Sequence, residues 1–180
     1  WSKRKLISSS SCFQSIKIGW VTSWNSRCGI ATYSSHLIEH LPSELILLAP
    51  ENEHIENKNI GKNVRRCWTI GEDNLEKLYQ NIINNNLTSV VIQFNYGFYN
   101  FKALKLFIQK LYKKNIKILL FMHSTLDPPC QNDKCLISIV SELKLCNRIL
   151  VHSPADLNRL KEINLVSNVS LFPHGVLDFD

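Results

Sequence analysis

The chain has 180 residues, of which 44% are hydrophobic and 20% are charged, and its formal net charge is +6. This length supports one domain with a hydrophobic core, and the composition is typical of a globular protein, which excludes extended disorder. No apolar run approaches the roughly 20 residues that a membrane-spanning helix needs. Residues 1–15 carry a basic cluster and a serine run, but no apolar segment of signal-peptide length follows, so we interpret them as a leader or linker.

From residue 16 onwards, short apolar runs alternate with segments of helical periodicity. The predicted strands are Ile16–Val21, Leu45–Ala49, Arg65–Ile70, Ser89–Phe94, Lys117–Met122, Arg148–His152 and Val169–Phe172. Apolar residues at helical spacing predict helices over 30–41, 75–83, 101–112 and 136–145. Ser153-Pro154 predicts another helix start, with serine as N-cap and proline at the first helical position. The alternation predicts a doubly wound, mostly parallel Rossmann-like sheet of about seven strands with helices on both faces.

The unusual polar residues of the chain come directly after predicted strands. They are Asn25, Cys28 and Gly29 after the first strand, Gln93, Asn95 and Tyr96 around the end of the fourth, His123 after the fifth, Ser153 after the sixth, and His174 and Gly175 after the last. In open parallel sheets, ligands bind in the crevice outside the carboxyl ends of the strands. The sequence therefore predicts one site for a polar, hydroxyl-rich ligand at that edge.

The loop after the first strand has a further physical property. Gly29 lies at a predicted helix start, where free backbone N–H groups and the helix dipole favour an anion. A glycine lets a phosphate approach the backbone closely, although an ordinary strand-to-helix turn is the alternative. The loop lacks G-x-G-x-x-G and the Walker lysine motif, which argues against a dinucleotide-binding enzyme and a nucleoside triphosphatase.

Two histidines are candidates for a functional role. His123 lies at the end of a strand beside Ser124 and Thr125, which favours function over a purely structural role. His174 follows a proline and precedes a glycine, so a turn presents its ring, and both roles stay open. His152 alternates within a strand and is expected to be packed. Covalent catalysis is not expected, because there is no G-x-S-x-G elbow and Cys28 has no base that the sequence can place.

The cysteines and lysines indicate in which compartment the protein is expected and which partners it could bind. Six scattered cysteines in a chain of this length predict reduced thiols in a cytoplasmic protein, and the lack of a second close pair argues against a zinc site. A basic segment lies on and just after one predicted helix: Lys102, Lys105, Lys110, Lys113, Lys114 and Lys117. A solvated helix face is the usual interpretation, and peripheral contact with anionic lipid or a phosphorylated acceptor is the alternative. Nucleic acid is not expected, because no stacking aromatics are interleaved with the lysines.

Several motifs in consistent order resemble family 4 retaining glycosyltransferases. Ile18–Leu41 (IGWVTSWNSRCGIATYSSHLIEHL) resembles the opening strand, glycine loop and helix of the branch with a W-N-x-x-C-G-I-A-x-Y pattern. The similarity continues at 91–97, at the strand that ends in His123, at Leu150–Leu160 (LVHSPADLNRL) and at 172–176 (FPHGV). The resemblance spans residues 16–180.

The resemblance implies a GT-B enzyme of polysaccharide biosynthesis, with two Rossmann-like domains and an active site between them. Residues 16–180 would be the N-terminal, acceptor-side domain, and the donor-binding domain would lie outside the chain, so this part alone is expected to be inactive. The substrates would be a nucleotide-sugar donor and a glycan or glycolipid acceptor, without metal or cofactor. His123 would be the catalytic residue at the transferred sugar. The donor phosphate and sugar would meet Cys28, Gly29, Ile30, His174 and Gly175, and the acceptor would meet Asn25, Gln93, Asn95, Tyr96 and Ser153.

Two departures from the family pattern qualify this implication. Cys28 stands where many members have a first glycine, and His174 replaces the asparagine of the usual P-N-G-V ending. A non-catalytic α/β domain that binds a saccharide or an anion is the alternative function. A nicotinamide-dependent or response-regulator-like protein fits less well, because the glycine fingerprint and an acidic cluster after the first strand are both missing.

Overall fold

The computed structural model describes residues 16–41, 44–56 and 63–175, and within these ranges seven parallel strands form one sheet in the order β3-β2-β1-β4-β5-β6-β7. The strands are β1 (Ile18–Val21), β2 (Ile46–Pro50), β3 (Val64–Trp68), β4 (Ser89–Phe94), β5 (Lys117–Met122), β6 (Arg148–Val151) and β7 (Val169–Leu171). The helices are α1 (Gly29–Glu39), α2 (Glu76–Asn84), α3 (Phe101–Lys113), α4 (Val140–Leu143) and α5 (Pro154–Glu162). The predicted Rossmann-like α/β fold is confirmed.

Helices cover both faces of the sheet. Successive strand residues point to opposite sides, so each face presents its own set of apolar side chains to a helix. On the side that we call the α1 face, Trp20, Leu47, Val91 and Phe121 pack against α1. On the opposite side, which we call the α3 face, α2 to α5 cover a larger core. Its fully buried strand residues include Leu48, Ile92, Leu120 and Ile149. Strands buried on both sides explain the continuous apolar runs in the sequence.

The helix predicted over 136–145 is wrong in type and length. Leu136–Ile139 forms a 3-10 helix, and only Val140–Leu143 is α-helical. Leu136 and Ile139 are both buried and three residues apart, the spacing that places side chains on one side of a 3-10 helix. α1 ends at Glu39, earlier than expected, and Pro42, its predicted end, lies outside the described residues.

β1 and α1 are joined by a buried polar contact behind the loop that connects them. The hydroxyls of Thr22 and Ser34 are 2.8 Å apart, and the Trp20 indole N–H donates to the Ser34 hydroxyl at 3.3 Å. β1 and β4 are neighbours at the point where the strand order reverses direction. This is the position at which open α/β sheets bind their ligands.

Candidate functional site

The loop between β1 and α1 is fixed by a buried ion pair that sequence analysis missed. Arg66 of β3 and Glu53 form this pair, with 3.2 Å between the guanidinium and the carboxylate and with only 15% and 5% of their side chains exposed. The Glu53 carboxylate also accepts hydrogen bonds from the hydroxyls of Ser23 and Ser26 and from the Trp24 N–H. Arg66 donates to the Trp24 carbonyl at 2.9 Å. The loop is therefore held from behind by the segment between β2 and β3.

The start of α1 has no side-chain cap. Cys28 is the N-cap residue, but its side chain makes no capping hydrogen bond, and the first turn contains no acidic residue. Gly29 is exposed, and a Cβ atom added to it would meet nothing within 4 Å. Ile30 follows as a half-buried helical residue. The first N–H groups of α1 thus lack a capping side chain and lie beside open space, which is what an anion at a helix N-terminus requires.

Three histidines and a tyrosine form a group on the α1 face that we call the histidine cluster: Tyr33, His123, His152 and His174. The ring centroid of Tyr33 lies 5.1 Å from that of His123 and 5.3 Å from those of His152 and His174. His152 and His174 stack at 3.8 Å. The two predicted site residues His123 and His174 therefore come together, and Tyr33 and His152, which sequence analysis did not assign to the site, lie between them.

Gln93 orients the His123 ring. Gln93 is fully buried at the end of β4, and its amide oxygen lies 2.6 Å from His123 Nε2. Because an amide oxygen only accepts, Nε2 carries the proton and Nδ1 of the neutral ring remains an acceptor. Burial, together with the nearby His152 and His174, lowers the pKa of His123 from 6.5 to about 4. The ring is therefore an uncharged hydrogen-bonding group at neutral pH.

Three buried polar atoms in and beside the histidine cluster lack a hydrogen-bond partner within the described part of the chain. They are the Tyr33 hydroxyl, the Gln93 amide nitrogen and His152 Nε2. The other nitrogen of His152, Nδ1, donates to the Phe172 carbonyl at 2.9 Å. An unpaired buried polar group costs about 1–3 kcal/mol, and native proteins contain few of them. Their concentration in one place is the property expected of a site for a polar ligand.

The loop after β4 uses its predicted site residues partly for its own structure. Tyr96 is buried and donates from its hydroxyl to the Asp127 carboxylate at 2.7 Å, and burial raises the pKa of this phenol. Asp127 also accepts a hydrogen bond from the Leu136 N–H at 3.0 Å. Asn95 is half-buried, and its side-chain oxygen accepts from the Gly97 N–H at 2.9 Å. The Tyr96 hydroxyl thus positions the loop, while Asn95 lies nearer the surface.

Ser153 closes the start of α5, as the Ser-Pro signature predicts. Its hydroxyl accepts from the Asp156 N–H at 3.2 Å and donates to the Asp156 carboxylate at 2.5 Å. That carboxylate also accepts from Thr125 and from Arg159, each at 2.7 Å. The Ser153 hydroxyl, predicted to bind the acceptor, is therefore engaged in a network within the domain.

The remaining predicted site residues lie at the surface of the same edge. Asn25 is half-buried in the left-handed backbone region, with φ 54°, and its carbonyl accepts from the Glu56 N–H at 2.9 Å. His174 and Gly175 are exposed. Among the described residues, no group of three or more His, Cys, Asp or Glu side chains is arranged to hold a metal ion. Every helix in the described ranges is too short or too polar to cross a membrane.

Within the described residues, the fold is a seven-stranded, all-parallel Rossmann-like sheet, and the candidate polar site lies at its carboxyl edge. No protein-family model and no curated protein matches the sequence. Among solved structures, the spore cortex-lytic enzyme SleL of Bacillus megaterium QM B1551 is similar with a TM-score of 0.38 and 11% identity, over 87% of this chain and 49% of that chain. The chain thus spans about half the length of that structure. A similarity at this level carries no argument about activity.

Proposed function

We propose that this domain binds a saccharide at the carboxyl edge of its sheet, as the acceptor-side domain of a retaining glycosyltransferase. The histidine cluster, in which the Tyr33 hydroxyl and His152 Nε2 lack a partner among the described residues, is the observation that carries the proposal. Neutral imidazole and phenol groups suit a sugar, because their rings pack against C–H groups while their polar atoms hydrogen-bond to hydroxyls. The ordered motifs that resemble family 4 glycosyltransferases support the same assignment.

The uncapped start of α1 would receive a phosphate of the nucleotide-sugar donor. When the sugar is transferred, negative charge develops on the departing diphosphate, and fixed backbone N–H groups stabilise such charge without a metal ion. In this scheme, Cys28, Gly29 and Ile30 contact the donor, and His123 faces the reacting sugar. Gln93 acts as a positioning residue, because its buried amide reaches the site through the His123 ring.

A non-catalytic domain that binds a saccharide or an anion is the second candidate. This candidate is favoured because the histidine cluster and the uncapped start of α1 lie in the same domain. Binding at either feature therefore needs no second domain. The two candidates differ in their ligands. A donor-and-acceptor site should bind a nucleoside diphosphate as well as a saccharide, whereas a non-catalytic module should bind either the saccharide or the anion alone.

Titration calorimetry of the 180-residue chain with UDP, GDP and a panel of neutral oligosaccharides tests the proposal. We expect saccharide binding that His123→Ala weakens by about tenfold, the effect of one lost hydrogen bond of roughly 1.4 kcal/mol. The matched control is His36→Ala, since His36 is an exposed histidine of α1. This variant should bind the saccharide as tightly as the original chain does. Absence of saccharide binding, or equal loss in both variants, would contradict the proposal. Sugar transfer at an ordinary rate by this domain alone would contradict the division of roles between two domains.

A further inference from the structure

The outward face of α3 is densely basic and carries two exposed apolar side chains. At 3.6 residues per turn, its centre is formed by Lys102, Leu106, Gln109 and Lys113. Lys105, Lys110 and Tyr112 flank this centre, Lys114 follows at the end of the helix, and Lys117 is the exposed first residue of β5. Leu106 is 59% exposed and Tyr112 is 55% exposed. We call this surface, formed by these nine residues, the lysine face.

The stability of the helix does not explain all of these lysines. Lys110 and Lys113 lie in the last turn, where a cation complements the negative end of the helix dipole. Lys102 lies in the first turn, where positive charge opposes the dipole, and the first turn contains no acidic residue. The Asn100 side chain caps the helix by accepting from the N–H groups of Lys102 and Ala103. Lys102 therefore reduces the stability of the helix start, and a partner outside the domain would explain its presence.

Acidic residues of the neighbouring helices offset only part of this charge. On the α2 side, Glu76 pairs with Lys110 at 2.5 Å, and Asp73 accepts from the Asn100 amide. On the α4 side, Glu142 accepts from the Gln109 amide at 2.8 Å, and its charge interacts with that of Lys105. Within the described ranges, five lysines of this face make no ion pair: Lys102, Lys105, Lys113, Lys114 and Lys117. The lysine face thus keeps a clear excess of positive charge.

We propose that the lysine face docks this domain onto the surface of an anionic lipid bilayer. A row of lysines along a helix complements the extended negative potential of such a surface. Exposed leucine and tyrosine side chains on the same face suit the boundary between headgroups and acyl chains. A nucleic acid fits less well, because a single tyrosine gives no platform on which successive bases could stack. This inference is independent of the proposed enzymatic function.

The docking is tested by co-sedimentation of the 180-residue chain with large vesicles of phosphatidylcholine, with or without about 30% phosphatidylglycerol, at roughly 0.1 M salt. We expect binding only to the anionic vesicles and release at about 1 M salt, where charges are screened within roughly 3 Å. The double variant Lys102→Glu/Lys113→Glu should weaken binding by about tenfold or more, because each lysine near an anionic surface contributes roughly a factor of five.

A control variant separates this face from the net charge of the whole chain. Arg27→Glu/Lys161→Glu makes the same change in net charge at two exposed positions outside α3, and it should bind anionic vesicles nearly as well as the original chain. Equal weakening by both double variants, equal binding to neutral vesicles, or no binding to anionic vesicles would overturn the proposal. Binding of duplex RNA at the same salt, lost in the same variant and at least as tight, would also overturn it in favour of a nucleic-acid surface.

Discussion

α1 and α5 begin at the same edge of the sheet, and their N-cap residues have nearly the same backbone conformation. However, α1 lacks a side-chain cap and α5 has one. Cys28 has φ −139° and ψ 130°, and Ser153 has φ −137° and ψ 155°. The Ser153 hydroxyl accepts from the Asp156 N–H, whereas the Cys28 side chain makes no capping bond. The side chains, and not the cap backbone, therefore determine which helix N-terminus is left for a ligand, because α5 has a capping hydroxyl and an acidic residue in its first turn and α1 has neither.

The two starts also differ in what surrounds them. Thr125 and Arg159 lie beside the cap of α5, and both donate hydrogen bonds to the Asp156 carboxylate. The loop before α1 is instead held from behind by Glu53, which binds the loop and leaves the space beside Gly29 open. An open helix start combined with a rigid approach loop is the arrangement of a preformed anion site.

The largest effect is expected from Glu53→Ala, which removes the support of the loop before α1. Arg66 would remain buried without its partner, so the free energy of unfolding should fall by about 3–5 kcal/mol. Urea denaturation measures this change. Glu56→Ala is the matched control, because its pair with Arg27 is exposed and its loss should cost at most about 1 kcal/mol. Similar losses in both variants would show that the buried pair does not hold the loop.

The histidine cluster between the two helix starts should make stability depend on pH. The pKa of His123 is about 4 in the folded chain and near 6.5 when exposed, so the unfolded chain binds the proton first as the pH falls. The resulting stabilisation is complete above pH 6.5 and is lost towards pH 4, by up to about 3 kcal/mol. Urea midpoints across this range should fall more steeply for the original chain than for His123→Gln. Parallel curves would mean that the ring takes up a proton freely in the fold.

Exchanging the caps should reverse the difference between the two helices. Ser153→Ala should lower the free energy of unfolding by about 1 kcal/mol, because α5 loses its cap. Cys28→Asp should raise it by about 0.5–1 kcal/mol, because a carboxylate caps α1 and complements its dipole. Thermal unfolding measures both changes. The same Cys28→Asp variant should no longer bind pyrophosphate in calorimetry, and retained binding would place the anion elsewhere.

The smallest change in stability is expected from Gly29→Ala. A Cβ atom there meets nothing, and Gly29 is not in the left-handed region, so the free energy of unfolding should change by less than about 0.5 kcal/mol. Pyrophosphate binding should weaken by about tenfold, because the methyl group occupies the space beside the helix start. Gly19→Ala is the contrasting control, since its Cβ would lie 2.6 Å from Leu87 Cδ1 and should destabilise the fold by about 1–3 kcal/mol. If both variants keep full pyrophosphate binding, Gly29 does not face the anion.

Most strands could be predicted because they are apolar runs bounded by polar or turn residues, although β3 contains two arginines. The cap of α5 could be predicted because Ser153-Pro154 is a local signature. The Glu53–Arg66 pair could not be predicted, since Glu53 lies in a polar segment typical of solvated surface and nothing in the sequence connects it with Arg66, 13 positions further on in a strand. Alternation along β6 indicated that His152 is packed, but not that it lies beside His123 and His174. That contact depends on β5, β6 and β7 being neighbours, and strand order is set by packing across the whole sheet.

The most direct test of the central claim is to map amide chemical shifts of the isotope-labelled chain during titration with pyrophosphate and with an oligosaccharide that binds in calorimetry. The account predicts that pyrophosphate shifts the amides of 28–31 and that the saccharide shifts those around Asn95, His123 and His174. Both sets lie at the carboxyl edge of the sheet. Shifts confined to the outer surfaces of α2 and α3, with that edge unchanged at saturation, would contradict it.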